Sequence, residues 1–366
     1  MKRQIKNRLL WGISTVVLIV LGVACTRDAT MNPADDAFIL PGIMVESPCT
    51  EPDNATKSEA GEVQYRLYWN AGDKIAIVNI SQGNRVDTYT STARTNENDG
   101  LAHFTADAEY SYNPSDLVFA AYPVDAIENI STSEAPYKIT MSLADNTSYY
   151  SKSNSPMFSR NDIQVSPLMQ ASQLQGSGSN LPSIKPNRMT AMLRVLSHIS
   201  NETLSQERVS SITFIVKGVA GEADIVFSGT AAGATPSLAV NKGSKDQITV
   251  LLPNNPKMAS AAAIVEFVPV FPIWVGRDDN RYGISFIYTT DQYNAGFHRE
   301  ANSNIRSNNV TAFNLFEGSY TRIGSEDGFS ADNQWWYVLK TGGMNSIGGF
   351  GVDGGEMGST AGGFVD

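Results

Sequence analysis

Cysteine, histidine and charge are all scarce in this sequence of 366 residues. It has two Cys (Cys25 and Cys49) and three His (His103, His198 and His298). So few ligands exclude a Cys/His zinc module, and two thiols cannot staple a disulfide scaffold. The chain also has no nucleophile–base pair or paired carboxylates in the pattern of a catalytic site. We therefore predict no enzyme activity, no catalytic or metal-binding residue and no cofactor.

Charged residues make up 17% of the chain, against about 25% in an average soluble protein. Asp and Glu outnumber Lys and Arg by 37 to 27, which gives a net charge of -10. A nucleic-acid binder has a basic surface, so this balance argues against nucleic acid as a partner. Hydrophobic residues make up 42% of the chain, enough to bury a core. The length predicts about two domains of ~150 residues each.

Residues 1–24 have the pattern of a secretory signal: a basic start followed by an uncharged, mostly apolar run from 9 to 24. That run is short for a transmembrane helix, which needs about 20 residues. Because Leu21-Gly-Val-Ala precedes Cys25, we predict a lipoprotein signal peptide with Cys25 as the lipidated residue. The alternative is ordinary signal cleavage beside an incidental Cys, and Gly22 stands where the usual lipoprotein motif has Leu.

Short runs of Val, Ile, Phe, Tyr and Thr recur along the chain, separated by Asn, Gly, Asp and Pro. This pattern predicts an all-β fold of antiparallel β-sandwiches and no long helix. A stretch rich in Ser, Gln and Asn leads up to residue 185, so we predict an N-terminal domain at 25–185 and a C-terminal domain at 186–321. Residues 322–366 hold one more strand candidate and a tail in which 10 of the last 26 residues are Gly.

The first strand candidate of the N-terminal domain is Ala37–Val45. Pro41 and Gly42 interrupt it, so we expect an edge strand or a strand in two pieces. A polar stretch with Pro, Asn and Gly follows from 46 to 62. It predicts a long exposed loop, and such loops are preferred sites of proteolysis.

The strongest aromatic cluster is Trp335-Trp336-Tyr337. One interpretation is a platform for stacking sugar rings, because aromatic faces suit apolar ring surfaces. The other is a strand whose alternate aromatic side chains complete a core or pair with a neighbouring strand. The residues leave both interpretations open.

Several motifs follow one another along the chain. They are the opening strand Ala37–Val45, Thr56-Lys57, Trp69-Asn-Ala-Gly-Asp-Lys-Ile75, Phe119-Ala-Ala-Tyr-Pro123, Ser166-Pro-Leu-Met-Gln-Ala171 and Arg188-Met-Thr-Ala-Met-Leu-Arg-Val195. Their order, together with the signal, resembles that of the fimbrillin, or Mfa-like, family of Bacteroidales lipoproteins, the subunits of type V pili. The resemblance covers about residues 25–320 and leaves the Gly-rich tail unmatched.

The resemblance implies two tandem β-sandwiches of transthyretin-like or immunoglobulin-like topology on a lipoprotein exposed at the outer membrane or in a fimbrium. It implies that a protease cuts the exposed loop, where Lys57 matches the family's Arg, and that a strand of the next subunit replaces the released one. The best donor candidates are Val310–Phe316 and Gln334–Leu339, the latter with Trp335, Trp336 and Tyr337. A chain left uncut at Lys57 would instead serve as an anchor or tip subunit.

Two functions follow as hypotheses. The first is a surface lipoprotein that acts as a pilus subunit or adhesin, with other pilus subunits, the outer membrane and a host or bacterial surface as its partners. The second is an outer-membrane glycan-binding lipoprotein of a polysaccharide-uptake system, in which the aromatic cluster at 335–337 would bind sugar.

Overall fold

The computed structural model describes the chain from residue 37 to residue 350, with gaps. The described residues are 37–47, 49–52, 65–66, 68–93, 100–144, 146–148, 151–152, 155–156, 162–177, 180–197, 208–216, 218–240, 245–252, 264–275, 284–291, 294–299, 303–315, 320–323, 336–338 and 348–350. Every structural statement below concerns these residues.

Strands form almost all of the regular structure, and the helical segments are two short 3-10 turns, Val124–Ala126 and Ala171–Leu174. The strands up to residue 188 are β1 (Phe38–Ile39), β2 (Gly42–Glu46), β3 (Cys49–Pro52), β4 (Tyr65–Arg66), β5 (Lys74–Asn79), β6 (Arg85–Ser91), β7 (Leu101–Ala106), β8 (Ser111–Tyr112), β9 (Leu117–Tyr122), β10 (Ile127–Ser131), β11 (Lys138–Ser142), β12 (Asn146–Ser148), β13 (Ser151–Lys152), β14 (Ser155–Pro156), β15 (Gln164–Val165), β16 (Met169–Gln170), β17 (Ser183–Ile184) and β18 (Asn187–Arg188).

The later strands are longer on average. They are β19 (Ala191–Ser197), β20 (Val209–Ile215), β21 (Glu222–Phe227), β22 (Pro236–Val240), β23 (Gln247–Leu251), β24 (Ile264–Val270), β25 (Ile273–Val275), β26 (Ile284–Thr290), β27 (Asn294–Arg299), β28 (Ser303–Ile305), β29 (Asn309–Leu315), β30 (Tyr320–Ile323), β31 (Trp336–Val338) and β32 (Gly348–Phe350).

The largest sheet has nine strands, in the order β17-β2-β7-β6-β5-β9-β15-β18, with β16 also paired to β9. From Ile75 to Asn79 every residue of β5 is buried, because this strand is covered on both faces. Strand β6 instead alternates buried and partly exposed residues, the period of two that a half-covered strand requires. The core therefore covers both faces of the sheet at β5 and β9.

A four-stranded sheet, β10-β11-β21-β22, packs against this sheet. Phe119 of β9 and Phe227 of β21 bring their ring centroids to 5.1 Å. Ile139 and Met141 of β11 are fully buried in the same apolar cluster as these rings. Two sheets that bury their facing side chains in this way form a sandwich.

Two further sheets contain most of the later strands, in the orders β12-β23-β20-β26-β27-β30 and β24-β19-β29-β3-β4. In the first, Phe214 of β20 lies opposite Phe286 of β26, with ring centroids 5.4 Å apart. In the second, β19 and β29 run parallel in register from Met192↔Val310 to Ser197↔Leu315. Strand β29 is thus an inner strand, which makes the donor candidate Val310–Phe316 a structural part of its own sheet.

The all-β prediction is confirmed, and the packed sheets agree with β-sandwich architecture. The division at residue 185 and the tandem arrangement of domains stay predictions. Four sheets hydrogen-bond strands from both sides of that position: β11 pairs with β21, β12 with β23, β3 with β29, and β15 with β18. The Gly-rich tail contributes β32, which pairs with β31.

Candidate functional site

The candidate site is the position in the sheet that the first strand occupies. We call residues 37–47 the leader strand, and the place that it fills between β7 and β17 the leader seat. It is in two pieces, β1 and β2, separated at Leu40 and Pro41, as the sequence predicted. It does not lie at an edge, because β2 is flanked by β7 on one side and by β17 on the other. Of the two alternatives that the sequence allowed, the strand in two pieces is the one found, and the edge position is not, since β17, a two-residue strand from residues far along the chain, has no periodic signal in the sequence.

Backbone hydrogen bonds hold β2 on both sides. It pairs antiparallel with β7 from Gly42↔Thr105 to Glu46↔Leu101. On the other side it runs parallel to β17, and the Met44 amide donates to the Pro182 carbonyl at 2.8 Å. Both ladders therefore lose their partner if the leader strand leaves.

The leader strand contributes three side chains to the core: Leu40 is 2% exposed, and Ile43 and Val45 are 0% exposed. Each belongs to the large apolar cluster that also contains Phe104 of β7. Phe104 in turn packs edge-on against the buried Trp69, with ring centroids 5.3 Å apart. The seat of the leader strand is therefore an apolar recess that opens directly into the core.

Gly42 makes the closest approach in the recess. A Cβ at this position would lie 2.8 Å from the Phe104 carbonyl oxygen and 3.0 Å from His103 Nε2. The first of these contacts is with backbone, which cannot turn away as the end of a side chain can. Any strand that occupies this seat needs Gly at this position.

The first piece of the leader strand lies on tyrosines. In β1, Phe38 is registered with Tyr112 of β8, and their ring centroids are 5.9 Å apart. The Tyr89 hydroxyl donates to the Leu40 carbonyl at 3.2 Å and also lies 3.2 Å from the Tyr112 hydroxyl. Burial raises the pKa of both tyrosines well above their usual range. They therefore stay neutral and available as donors.

The chain beyond the leader strand continues into a second sheet. Strand β3 pairs parallel with β29, from Asn309↔Glu51 to Val310↔Pro52, and antiparallel with β4. Residues 53–64 follow and lie outside the described part, so the processing site predicted at Lys57 is not located. A cut there would separate β1, β2 and β3 from the rest of the chain.

Two of the other four predicted site residues lie outside the described residues: Cys25, the predicted lipidation site, and Trp335. Trp336 and Tyr337 lie on β31, whose backbone pairs antiparallel with β32 in the register Trp336↔Phe350 and Tyr337↔Gly349. The roles predicted for these residues stay predictions.

A buried polar cluster, which the sequence did not reveal, lies where β15 and β18 pair. Arg188 Nε donates to Asp162 Oδ1 at 2.6 Å, and Thr190 Oγ1 donates to the same oxygen at 3.0 Å. Burial raises the pKa of Asp162, although Arg188 and Thr190 oppose that shift. Burial also raises the pKa of Asp73 to about 6, against a hydrogen bond from the Asn70 amide and with a small contribution from the charge of Asp162. No ligand chemistry follows from this cluster, which ties loops to the sheet.

Within the described ranges, no group of His, Cys, Asp and Glu is arranged to hold a metal ion. The same part of the chain contains no helix long and apolar enough to cross a membrane.

No protein-family model and no curated protein matches this chain. Solved structures do resemble it, and those described here come from Bacteroides and Parabacteroides. A protein from Bacteroides uniformis assigned to cell adhesion has 13% identity and a TM-score of 0.40, over 77% of this chain and 94% of its own. One from Bacteroides ovatus with the same assignment has 10% identity and a TM-score of 0.41, over 79% and 97%.

A fimbrial assembly protein from Parabacteroides distasonis also resembles the chain, with 9% identity and a TM-score of 0.31 over 88% of this chain and 99% of its own. The proteins structurally similar to this chain are thus cell adhesion and fimbrial proteins of Bacteroidales. At these scores the resemblance alone carries no argument about what this chain does.

Proposed function

We propose that this chain is a surface lipoprotein of the fimbrillin type, acting as a pilus subunit or adhesin that joins its neighbours by β-strand donation. Its signal sequence would direct export, and lipid on Cys25 would hold it at the outer membrane. Cleavage near Lys57 would free the leader strand, and a strand from another subunit would take its place. A chain that is not cut would act as an anchor or tip subunit.

One observation carries this proposal: a strand at the start of the chain lies inside a sheet, and its side chains enter the core. Ile43 and Val45 are fully buried, yet the leader strand is joined to the rest of the protein through the segment that contains Lys57. One cut in that segment turns an internal strand into a separate peptide. Folding can thus be completed in one subunit and the seat reopened later.

The energetics favour refilling of the seat once it is empty. Burial of a large aliphatic side chain contributes about 1.5–3 kcal/mol, so Leu40, Ile43 and Val45 together contribute roughly 5–9 kcal/mol. Loss of the strand also leaves the amide and carbonyl groups of β7 unpaired on that side. A donated strand restores both the burial of apolar side chains and the backbone hydrogen bonds of β7, as in other cases of β-strand addition. The Glu46–Lys185 ion pair, 2.8 Å long but exposed, adds little.

The test uses the full chain with a single engineered protease site in place of residues 56–58. After the cut, we expect ladders of oligomers on a gel without denaturant and a loss of the leader peptide from the assembled fraction. The uncut protein is the matched control and should stay monomeric. A cut protein that stays monomeric at every concentration contradicts strand donation.

A second measurement separates the stalk role from the anchor role. Sequencing of the N-terminus of protein extracted from the cell surface should give a start near Ser58 for an assembled, processed subunit. A blocked, lipidated Cys25 instead identifies a precursor or an anchor. The two results distinguish positions in the fimbrium without any assumption about the adhesion target.

A further inference from the structure

The seat of the leader strand sets a sequence requirement for any strand that replaces it. Position 40 must be apolar because Leu40 is buried, and positions 43 and 45 must be apolar because Ile43 and Val45 are fully buried. Position 42 must be Gly because a Cβ would meet the Phe104 carbonyl oxygen at 2.8 Å. The required pattern is apolar, any, Gly, apolar, any, apolar.

From residue 26 to the end of the chain, two windows of the sequence satisfy this pattern when Ala, Val, Ile, Leu, Met, Phe, Trp, Tyr and Cys count as apolar. One is the leader strand itself, Leu40-Pro-Gly-Ile-Met-Val45. The other is Ile347-Gly-Gly-Phe-Gly-Val352, in the Gly-rich tail. An acidic residue follows in both cases, Glu46 and Asp353, so that Asp353 would face Lys185 as Glu46 does at 2.8 Å.

We propose that residues 347–353 are the donor strand, and that they fill the leader seat of a second copy of this chain. This inference rests on the strand donation proposed above and names its occupant and register. Ile347 takes the place of Leu40, Gly349 that of Gly42, Phe350 that of Ile43 and Val352 that of Val45. The tail is therefore the part of the chain that links subunits.

The backbone of this segment can make the contacts that β2 makes. The Ala106 amide donates to the Pro41 carbonyl at 3.0 Å, and the Met44 amide donates to the Pro182 carbonyl at 2.8 Å. Gly348 and Gly351 supply the same carbonyl and amide at the matching positions. The one poorer match is Phe350, which is larger than Ile43 and requires its neighbours to move.

The described part of this segment has one strand partner in its own chain. Gly348–Phe350 forms β32, and its partner in the described part of the chain is β31. A two-stranded pairing is by itself marginally stable in water, so we expect it to give way to the longer ladder that β7 and β17 offer to a strand between them. The strand conformation seen in β32 is the conformation that the seat requires.

The same requirement disfavours the other donor candidates. The stretch Gln334–Leu339 contains no Gly, so it cannot pass the Phe104 carbonyl in this register. Asn309–Leu315 forms β29, which pairs in register with β19 from Met192↔Val310 to Ser197↔Leu315 and stays paired after the cut. The second Gly-Gly-Phe segment of the tail, at 362–364, would place Asp366 in the buried position of Val45.

The test compares tail variants of the full chain, each with the engineered cleavage site at Lys57. Gly349→Val and Val352→Asp should slow ladder formation at least tenfold after the cut. Val365→Asp, the same Val→Asp change in the second Gly-Gly-Phe segment, should leave it at the wild-type rate. Equal thermal unfolding of the uncut proteins would show that the variants fold alike.

The outcomes separate this inference from the function on which it rests. Ladders from cut Val352→Asp at the wild-type rate overturn residues 347–353 as the donor and leave strand donation standing. A cut wild-type protein that stays monomeric overturns both. Loss of ladders in Gly349→Val and Val352→Asp but not in Val365→Asp supports the inference.

A disulfide between chains tests the register. Met44 lies opposite His103 in the ladder, so Gly351 should lie opposite His103 in the assembled form. In a background with both native Cys changed to Ser, a chain with His103→Cys should cross-link to a chain with Gly351→Cys after the cut. Ser359→Cys is the control and should not cross-link. A cross-link to the chain with Ser359→Cys, or no cross-link to the chain with Gly351→Cys, overturns the register.

Discussion

Arg188 Nε and Asp162 Oδ1 are 2.6 Å apart, and both side chains are 0% exposed. Gln164, which is registered with Arg188, is also fully buried. Within the described part of the chain, Arg188 Nη1 and Nη2, Asp162 Oδ2 and both polar side-chain atoms of Gln164 make no hydrogen bond. The two buried charges therefore have few hydrogen bonds besides their contact with each other. Each charge depends on the other to offset the cost of its burial.

We expect Arg188→Met to destabilise the protein by about 3–5 kcal/mol, because it leaves the Asp162 carboxylate buried without its counter-charge. The double variant Arg188→Met/Asp162→Leu should lose much less than the sum of the single changes, since it leaves no buried charge. Denaturant unfolding of the two single variants and the double variant measures the coupling. Additive losses would contradict the mutual dependence of the pair.

Asp73 should make stability depend on pH. Its pKa is raised to about 6 in the folded protein, mainly by burial, from 3.8 as the ordinary value. The folded state therefore binds the proton more tightly than the unfolded state. Below about pH 4 Asp73 does not lower the stability of the folded state. The loss of stability grows as pH rises from about 4 to 6 and is complete above about pH 6.

Asp73→Asn should therefore stabilise the protein at pH 7.5, by at most roughly 3 kcal/mol, and have little effect near pH 4. The amide oxygen of Asn keeps the acceptor for the Asn70 amide, which donates to Asp73 at 2.7 Å. Asp73→Ala removes this acceptor as well and is the control. Unfolding curves across this pH range give the answer, and a gain from Asp73→Asn that is equal at both pH values would refute the role of its charge.

Gly42→Ala should cost about 1–3 kcal/mol, because the added Cβ would lie 2.8 Å from the Phe104 carbonyl oxygen. Gly229→Ala is the matched control, since its Cβ would meet only the Ala234 Cβ, at 3.7 Å. Thermal or denaturant unfolding of the two uncut variants provides the comparison. Equal stability of the two would show that the leader strand can shift away from β7.

Ile43→Ala should destabilise the uncut protein by about 2–5 kcal/mol through loss of buried surface and the cavity that remains. Ile39→Ala, on the other piece of the same strand, should change stability by less than about 0.5 kcal/mol, because Ile39 is 51% exposed. After the cut at Lys57, Ile43→Ala should also speed the release of the leader peptide. Size-exclusion chromatography of the cut proteins over time measures that rate, and equal release from both variants would contradict the packing argument.

Cys25→Ser should abolish labelling of the protein by a radioactive or clickable fatty acid and move it out of the membrane fraction of cells. Cys49→Ser is the control and should keep both properties. Each CH₂ of a buried acyl chain contributes about 0.8 kcal/mol, so loss of the lipid removes most of the affinity for the membrane. Labelling that survives Cys25→Ser would reject the lipoprotein signal.

Periodicity in the sequence located most long strands within one or two residues. The apolar and β-branched runs of the sequence at 74–80, 117–122 and 211–217 coincide with β5, β9 and β20 to within two residues. Their runs of Val, Ile, Phe and Ala are long enough to be read locally. Strand pairs of two residues, such as β15 with β18, have no such signal, because only the partner strand makes them strands.

The sequence by itself determined the all-β class, the break in the leader strand at Pro41 and Gly42, and the pattern that Ile347–Val352 shares with it. These depend on local properties: side-chain period, backbone freedom and the order of residue types. Only the tertiary structure decided that the leader strand lies between β7 and β17 and that Gly42 meets the Phe104 carbonyl. It also decided that Asp162 and Arg188 are buried together. Those facts depend on which distant segments meet. Which strands pair in a sheet depends on the total surface that all of the strands bury together, and this cannot be read from one segment.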